Sequence, residues 1–260
     1  MRARLGLLAV LLLALSLAAP TRAEVTREGG LQVGFDGQMA PKKLPRHEAV
    51  PVAVRVAGDF KALKGASLPQ LQRISVAINS AGRLDDTGLP SCRVERIQPA
   101  TEAAAHQICG RAIVGSGHVR LIVRLEKQAP FEVQGRLLAF NGPRKNGRKL
   151  ILAQVYAKDP PGAFVLTFKL KQRPGLFGTV MSTSLPASAR GWAYLTHFDM
   201  TLDRRYRYRG KVHSYVSAAC SAPAGFPGAV FPFAKARYGF ANGQTLTTTV
   251  VRSCKVRGNG

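Results

Sequence analysis

Val50-Pro51-Val52-Ala53-Val54-Arg55-Val56 and, further on, Ile74-Ser75-Val76-Ala77-Ile78 place a branched apolar residue at every second position. A period of two sends these side chains to one face of an extended chain, so each run reads as a half-buried strand. The same pattern recurs outward from them at 111–125, 131–140, 149–157, 163–171, 176–183, 192–202, 212–218, 229–238 and 245–254, bounded by Gly, Pro and Asn. About ten or eleven strands with turn residues between them predict an all-β fold, β-sandwich-like, with two packed sheets. One segment departs from the period. Thr101-Glu102-Ala103-Ala104-Ala105-His106-Gln107-Ile108-Cys109-Gly110 predicts one short helix near 101–109, with Thr101 as N-cap and Gly110 supplying a left-handed C′ residue. Asn242-Gly243 predicts a type I′ hairpin before the last strand.

At the start of the chain, Arg2 and Arg4 precede an uncharged, mostly apolar run from Leu5 to Ala19, then Pro20-Thr21-Arg22-Ala23. Basic, apolar and small-residue parts in that order predict a signal peptide over 1–23, cleaved after Ala23, and hence a secreted protein, extracellular or associated with the cell wall. No other stretch approaches the roughly 20 apolar residues of a membrane span, so no transmembrane anchor is expected after cleavage. Export argues against chemistry that depends on ATP, NAD or free thiols. Residues 24–49 are polar and irregular and read as an extended N-terminal segment. Residues 50–260 read as a single β-rich domain, or as two packed β subdomains.

The chain carries +24; without Arg2, Arg4 and Arg22 it carries +21, with 35 basic against 14 acidic residues. That balance favours polyanions, which outside a cell means an anionic cell-wall polymer or polysaccharide, or lipid headgroups; no specific nucleic acid is implied. A basic, high-GC codon bias would produce the same composition without function. Cys92, Cys109, Cys220 and Cys254 form two local pairs in an exported chain, where disulfides persist. No C-x-x-C spacing occurs and no histidine stands at ligand spacing from two of them, so disulfides are expected rather than a metal. Of the three connectivities, Cys92–Cys109 and Cys220–Cys254 close the shortest loops, each worth about 3 kcal/mol if unstrained.

Several segments together, Pro41-x-x-Leu44-Pro45-Arg46, Gly88-Leu89-Pro90-x-Cys92, Ala105-x-x-x-Cys109-Gly110-x-Ala112-x-Val114-Gly115, Phe140-Asn141-Gly142, Ala218-x-Cys220 and Ser253-Cys254, are shared with a known group. In this order of motifs the chain resembles a group of secreted proteins from high-GC Gram-positive bacteria. The resemblance implies export, paired cysteines and a β-rich fold, and it carries over no catalytic residue.

Two segments concentrate charge. Arg204-Arg205-Tyr206-Arg207-Tyr208-Arg209-Gly210-Lys211, if extended, lines Arg205, Arg207 and Arg209 along one face about 7 Å apart, with Tyr206, Tyr208 and Arg204 on the other. Such a ladder pairs with phosphates or carboxylates and stacks on sugars; the plain alternative is an edge strand kept charged against aggregation. Gly142-Pro143-Arg144-Lys145-Asn146-Gly147-Arg148-Lys149 superficially looks like a phosphate loop, but Arg148 and Lys149 stand where Lys and Ser or Thr are needed, and no helix follows. It reads as a basic hairpin loop, with Arg144, Lys145, Arg148 and Lys149 as a second basic group. His197 and Asp199 share one strand face with Ala193, Leu195, Thr201 and Asp203, and could act as a base with its orienting group or as two metal ligands; a solvated strand face is the simpler reading. No nucleophile elbow, Ser-x-x-Lys or His-Glu-x-x-His occurs, and no cofactor motif is present. The expectation is a non-enzymatic cell-envelope or extracellular protein binding an anionic surface polymer. A secreted hydrolase with a site assembled from distant residues and a purely structural surface protein are the alternatives.

Overall fold

The computed structural model describes residues 23–186, 189 and 191–257, so the signal peptide lies outside the described residues except for Ala23. Thirteen strands form one sheet. From one edge to the other they run β1 (Glu24–Glu28), β2 (Leu31–Ala40), β5 (Ala53–Ala62), β13 (Ala193–Leu202), β8 (Ile113–Val123), β9 (Phe131–Asn141), β10 (Leu150–Lys158), β11 (Pro161–Gln172), β12 (Thr179–Ser184), β6 (Leu71–Ile78), β17 (Gly228–Phe240), β18 (Thr245–Val256) and β3 (Lys43–Leu44). All pairs are antiparallel except β18 with β3. A small sheet of β4 (Val50–Pro51), β16 (Val216–Ala218) and β7 (Gly82–Leu84) lies beside it, and β14 (Arg205–Tyr208) pairs with β15 (Lys211–Ser214) as a separate hairpin.

The sheet curls until its first strands meet β18, and side chains close the seam. Arg252 of β18 donates to Glu24 at 2.8 Å and to Asp36 at 2.5 Å, the hydroxyls of Thr26 and Thr248 are 2.9 Å apart, and the Gln244 amide donates to the Glu28 carbonyl at 2.7 Å. The architecture is therefore a curled sheet and not a sandwich, with more strands than ten or eleven. Alternation specifies one buried face per strand and is identical for a strand facing a second sheet and for one facing the inside of its own curl. The segment over 24–49 is extended as read, and most of it pairs into this sheet. Its apolar alternation at Leu31, Val33, Phe35 and Met39 is interrupted by Gly34, Asp36 and Gly37.

The main core lies inside the curl, where the Phe60 and Tyr238 rings meet edge to face at 5.0 Å and Phe35 packs edge-on to Tyr238 at 6.4 Å. A second cluster lies outside. α1 (Val94–Ile97) and α2 (Glu102–Cys109) cover the outer face of β9 and β10, burying Ile97, Ala105, Leu138, Phe140 and Leu152, and Cys92–Cys109 ties them down. This is why β10 is buried on both faces. Its Gln154 satisfies the carbonyls of Ile97 and Ala100 at 2.6 and 2.8 Å, so a polar residue sits in that cluster at little cost.

Thr101 caps α2 as expected, accepting from the Ala104 N–H at 3.2 Å. Gly110 does not turn left-handed; with φ −55° it continues into a 3₁₀ turn over Gly110–Ala112 that leads directly into β8. The hairpin at Asn242-Gly243 is also different. Only Gly243 has positive φ, +84°, so the turn is the longer form with a left-handed glycine and not type I′. Both disulfides, Cys92–Cys109 and Cys220–Cys254, join the local pairs, and no free cysteine is present among the described residues.

Candidate functional site

The two basic segments singled out in the sequence meet at one loop, Asp85-Asp86-Thr87-Gly88. Tyr208 and Lys211 pair across a two-residue turn in which Arg209 and Gly210 have φ of +48° and +75°, the type I′ geometry. Arg209 therefore leaves the ladder. It stands at the tip with its guanidinium 5.3 Å from the Tyr208 ring, while Arg205, Arg207 and Lys211 remain exposed. The tyrosines are spent on anchoring. Tyr206 stacks on His213 at 5.5 Å and donates to the Thr87 carbonyl at 2.8 Å; burial, with Asp85 and Asp86 nearby, pushes its hydroxyl up to about 12. The Tyr208 ring lies over Gly88 so closely that an added Cβ would sit 2.2 Å from it. Arg204 is half-buried, its Nε without a hydrogen-bond partner.

On the other side of this loop, Asp86 takes both NH2 contacts of Arg144 at 3.1 Å and the Lys149 ammonium at 2.6 Å, and Lys149 also donates to the Leu84 carbonyl. Half of the second basic group is thus already neutralised. Lys145 and Arg148 stay exposed, flanking a turn in which Asn146 and Gly147 have φ of +50° and +72°. Burial opposes the charge on Asp85, but bonds from the Thr87 hydroxyl and N–H, the attraction of Lys149 and a bond from His213 outweigh it and hold its carboxyl below the usual range.

His197 and Asp199 lie on the outer face of the sheet and belong to a longer chain of charges. His197 donates from Nδ1 to Asp59 at 2.9 Å, and its Nε2 lies 3.5 Å from Asp199 Oδ2. His118 Nδ1 approaches the same oxygen at 3.5 Å, Arg136 donates to His118, and Arg136 in turn contacts Glu102 of α2 at 3.2 Å. Acid and base alternate across four strands and one helix. The face-mates of His197 differ from the simple period-two reading, because a β-bulge between Leu195 and His197 re-phases the strand. Leu195 then pairs with Leu121, lining the inside of the curl together with Phe198 and Met200.

The third charged region carries no such pairing. On the outer face of β11, β12, β6 and β17, cross-strand register aligns Lys169, Ser182, Ser75 and Arg237, and in the next row Ser184, Arg73 and Gly239, with Thr245 of β18. These residues line a groove of ≈ 710 Å³. Lys169 and Arg237 stand three strands apart, roughly 14 Å, and Arg73 about 7 Å along its strand from their row. Arg73, Lys169 and Arg237 are exposed, and none makes a side-chain hydrogen bond or ion pair among the described residues. The five strands hold no carboxylate: the sequence has no Asp or Glu over 160–198, none after Asp203 and none over 71–84. Those acid-free stretches were the available signal; because the cations sit singly on separate strands, no charge run marks them.

No family model, curated protein or solved structure matches this chain.

Proposed function

We propose that this protein is a secreted, non-catalytic component of the cell envelope that binds an anionic surface polymer, holding it in the groove across β11, β12, β6, β17 and β18. The observation that carries this reading is the set of three exposed, unpaired cations, Arg73, Lys169 and Arg237, in a groove of ≈ 710 Å³ with no carboxylate in its strands. Cations at roughly 7 and 14 Å suit a chain of repeated anions better than one small anion. Ser75, Ser182, Ser184 and Thr245 add donors and acceptors for the hydroxyls of a sugar or polyol backbone. Arg205, Arg207, Lys211, Lys145 and Arg148 form a second basic surface that would strengthen attachment without shaping it.

The hydrolase alternative has Asp59, His197, Asp199 and His118 as its candidate group. Both ring nitrogens of His197 face carboxylates, and no Ser, Thr or Cys is hydrogen-bonded to it among the described residues, so a base is present without a nucleophile to activate.

The test is binding of the mature protein to immobilised polyphosphate and to polygalacturonate at increasing salt. Affinity should fall steeply with salt. The variant Arg73→Gln/Lys169→Gln/Arg237→Gln should lose about 100-fold at low salt, taking about 1 kcal/mol per cation beside a polyanion. Undiminished binding by that folded variant would refute the groove as the site.

A further inference from the structure

Inside the curl lie two chambers of ≈ 60 and ≈ 90 Å³ that share Val56, Val76, Met181 and Met200 and so join end to end. Asn79 is the one polar side chain on their walls, and it is occupied: it donates to the Pro232 carbonyl at 2.8 Å and accepts from the Ala81 N–H at 2.9 Å. The walls are otherwise apolar, and Phe164, Phe168, Met181, Leu195, Phe198 and Met200 keep part of their surface uncovered although they line the interior. Water gains no partners there, and uncovered apolar surface favours an apolar guest.

The shape narrows the guest. Along β13 the lining runs from Leu195 to Leu202, roughly 20 Å at about 3.3 Å per residue. A hollow this long and this thin admits one flexible chain and excludes a fused ring system or a pair of chains. Every methionine after Met1, namely Met39, Met181 and Met200, lines it, and thioether side chains adapt to a guest of variable conformation. An overall charge of +24 favours an anionic head at its mouth. We infer that the curl binds one long-chain fatty acid, with the chain lying in the joined chambers and the carboxylate at the surface. This does not rest on polymer binding in the outer groove.

The mature protein is titrated with dansyl-labelled undecanoate, followed by competition with hexadecanoate and with butyrate. Saturable fluorescence enhancement at one site, displaced by hexadecanoate and not by butyrate, is expected. Val56→Phe and Val76→Phe place bulk where the chambers join and should weaken binding roughly tenfold or more in folded protein. Met181→Ala/Met200→Ala removes bulk instead and should shift preference toward longer chains, which keeps the proposal testable if the filling variants fail to fold. The outer-groove variant Arg73→Gln/Lys169→Gln/Arg237→Gln should bind the probe as the parent does. Absence of saturable enhancement, or unchanged chain-length preference in the alanine variant, overturns the inference. So does loss of probe binding in the outer-groove variant alone.

Discussion

On β5, β13, β8 and β9 the outer-face histidines and Arg136 stand within 4 Å of Asp59, Asp199 or Glu102, whereas on β11, β12, β6 and β17 Lys169, Arg73 and Arg237 look out over serines and threonines. Both regions belong to one sheet and have similar backbone. What differs is whether a carboxylate occupies the neighbouring cross-strand position. Charge that is already paired has little left for a ligand, and at exposed sites such pairing contributes only modestly to stability. Unpaired charge contributes nothing to the fold and is available to a partner. Net charge alone does not separate the two.

The sharpest way to break the contrast is to build the paired arrangement into the unpaired face. Ser75→Asp/Ser182→Asp sets carboxylates between Lys169 and Arg237, and polyanion affinity should drop by about tenfold or more, since like charges juxtaposed across an interface cost upward of 1 kcal/mol. Thermal melts of the same variant should show a small gain, because opposite charges directly across strands contribute roughly 0.2–1 kcal/mol. Unchanged affinity, measured on polyphosphate, would show that the groove charges are not engaged.

A second measurement probes the loop where paired charge anchors the basic hairpin. Asp85 has a folded-state pKa below its unfolded value, so the stability it contributes is complete above the unfolded pKa and is lost as pH falls through the folded one. Asp85→Asn should be less stable than the parent at neutral pH, and the difference should shrink on acidification, as read from urea midpoints across that range. A difference that is constant with pH would mean that the carboxylate charge is not what holds the loop.

The smallest expected effect lies on the paired face. Asp199→Asn removes the carboxylate between His118 and His197 and should cost about 0.5–1 kcal/mol while leaving polyanion binding within about twofold. A fall in binding as large as that of the groove variant would erase the distinction between the two faces.

Individual elements show where local reasoning reaches. The helix at Glu102–Cys109, its Thr101 cap, the two disulfides and the basic hairpin loop at 142–149 all rest on neighbours in the chain, and they were legible. β2 was harder, since Gly34, Asp36 and Gly37 dilute an alternation that is nonetheless there. Arg209 was placed on a ladder that a turn removes it from, because Arg is a poor indicator of positive φ. The inward placement of Leu195 depends on a single bulge, an extra residue that no periodicity announces.

The sequence by itself determined which segments extend, which cysteines pair and how strongly positive the chain is, because backbone preference, side-chain alternation and loop length act over short separations. Only the tertiary structure decided that the sheet curls onto itself, that Asp86 neutralises Arg144 and Lys149, and that Arg73, Lys169 and Arg237 share one groove. Those three residues are up to 164 positions apart, and cross-strand register alone brings them together. Register depends on strand order and on closure of the whole sheet, which no single stretch of chain encodes.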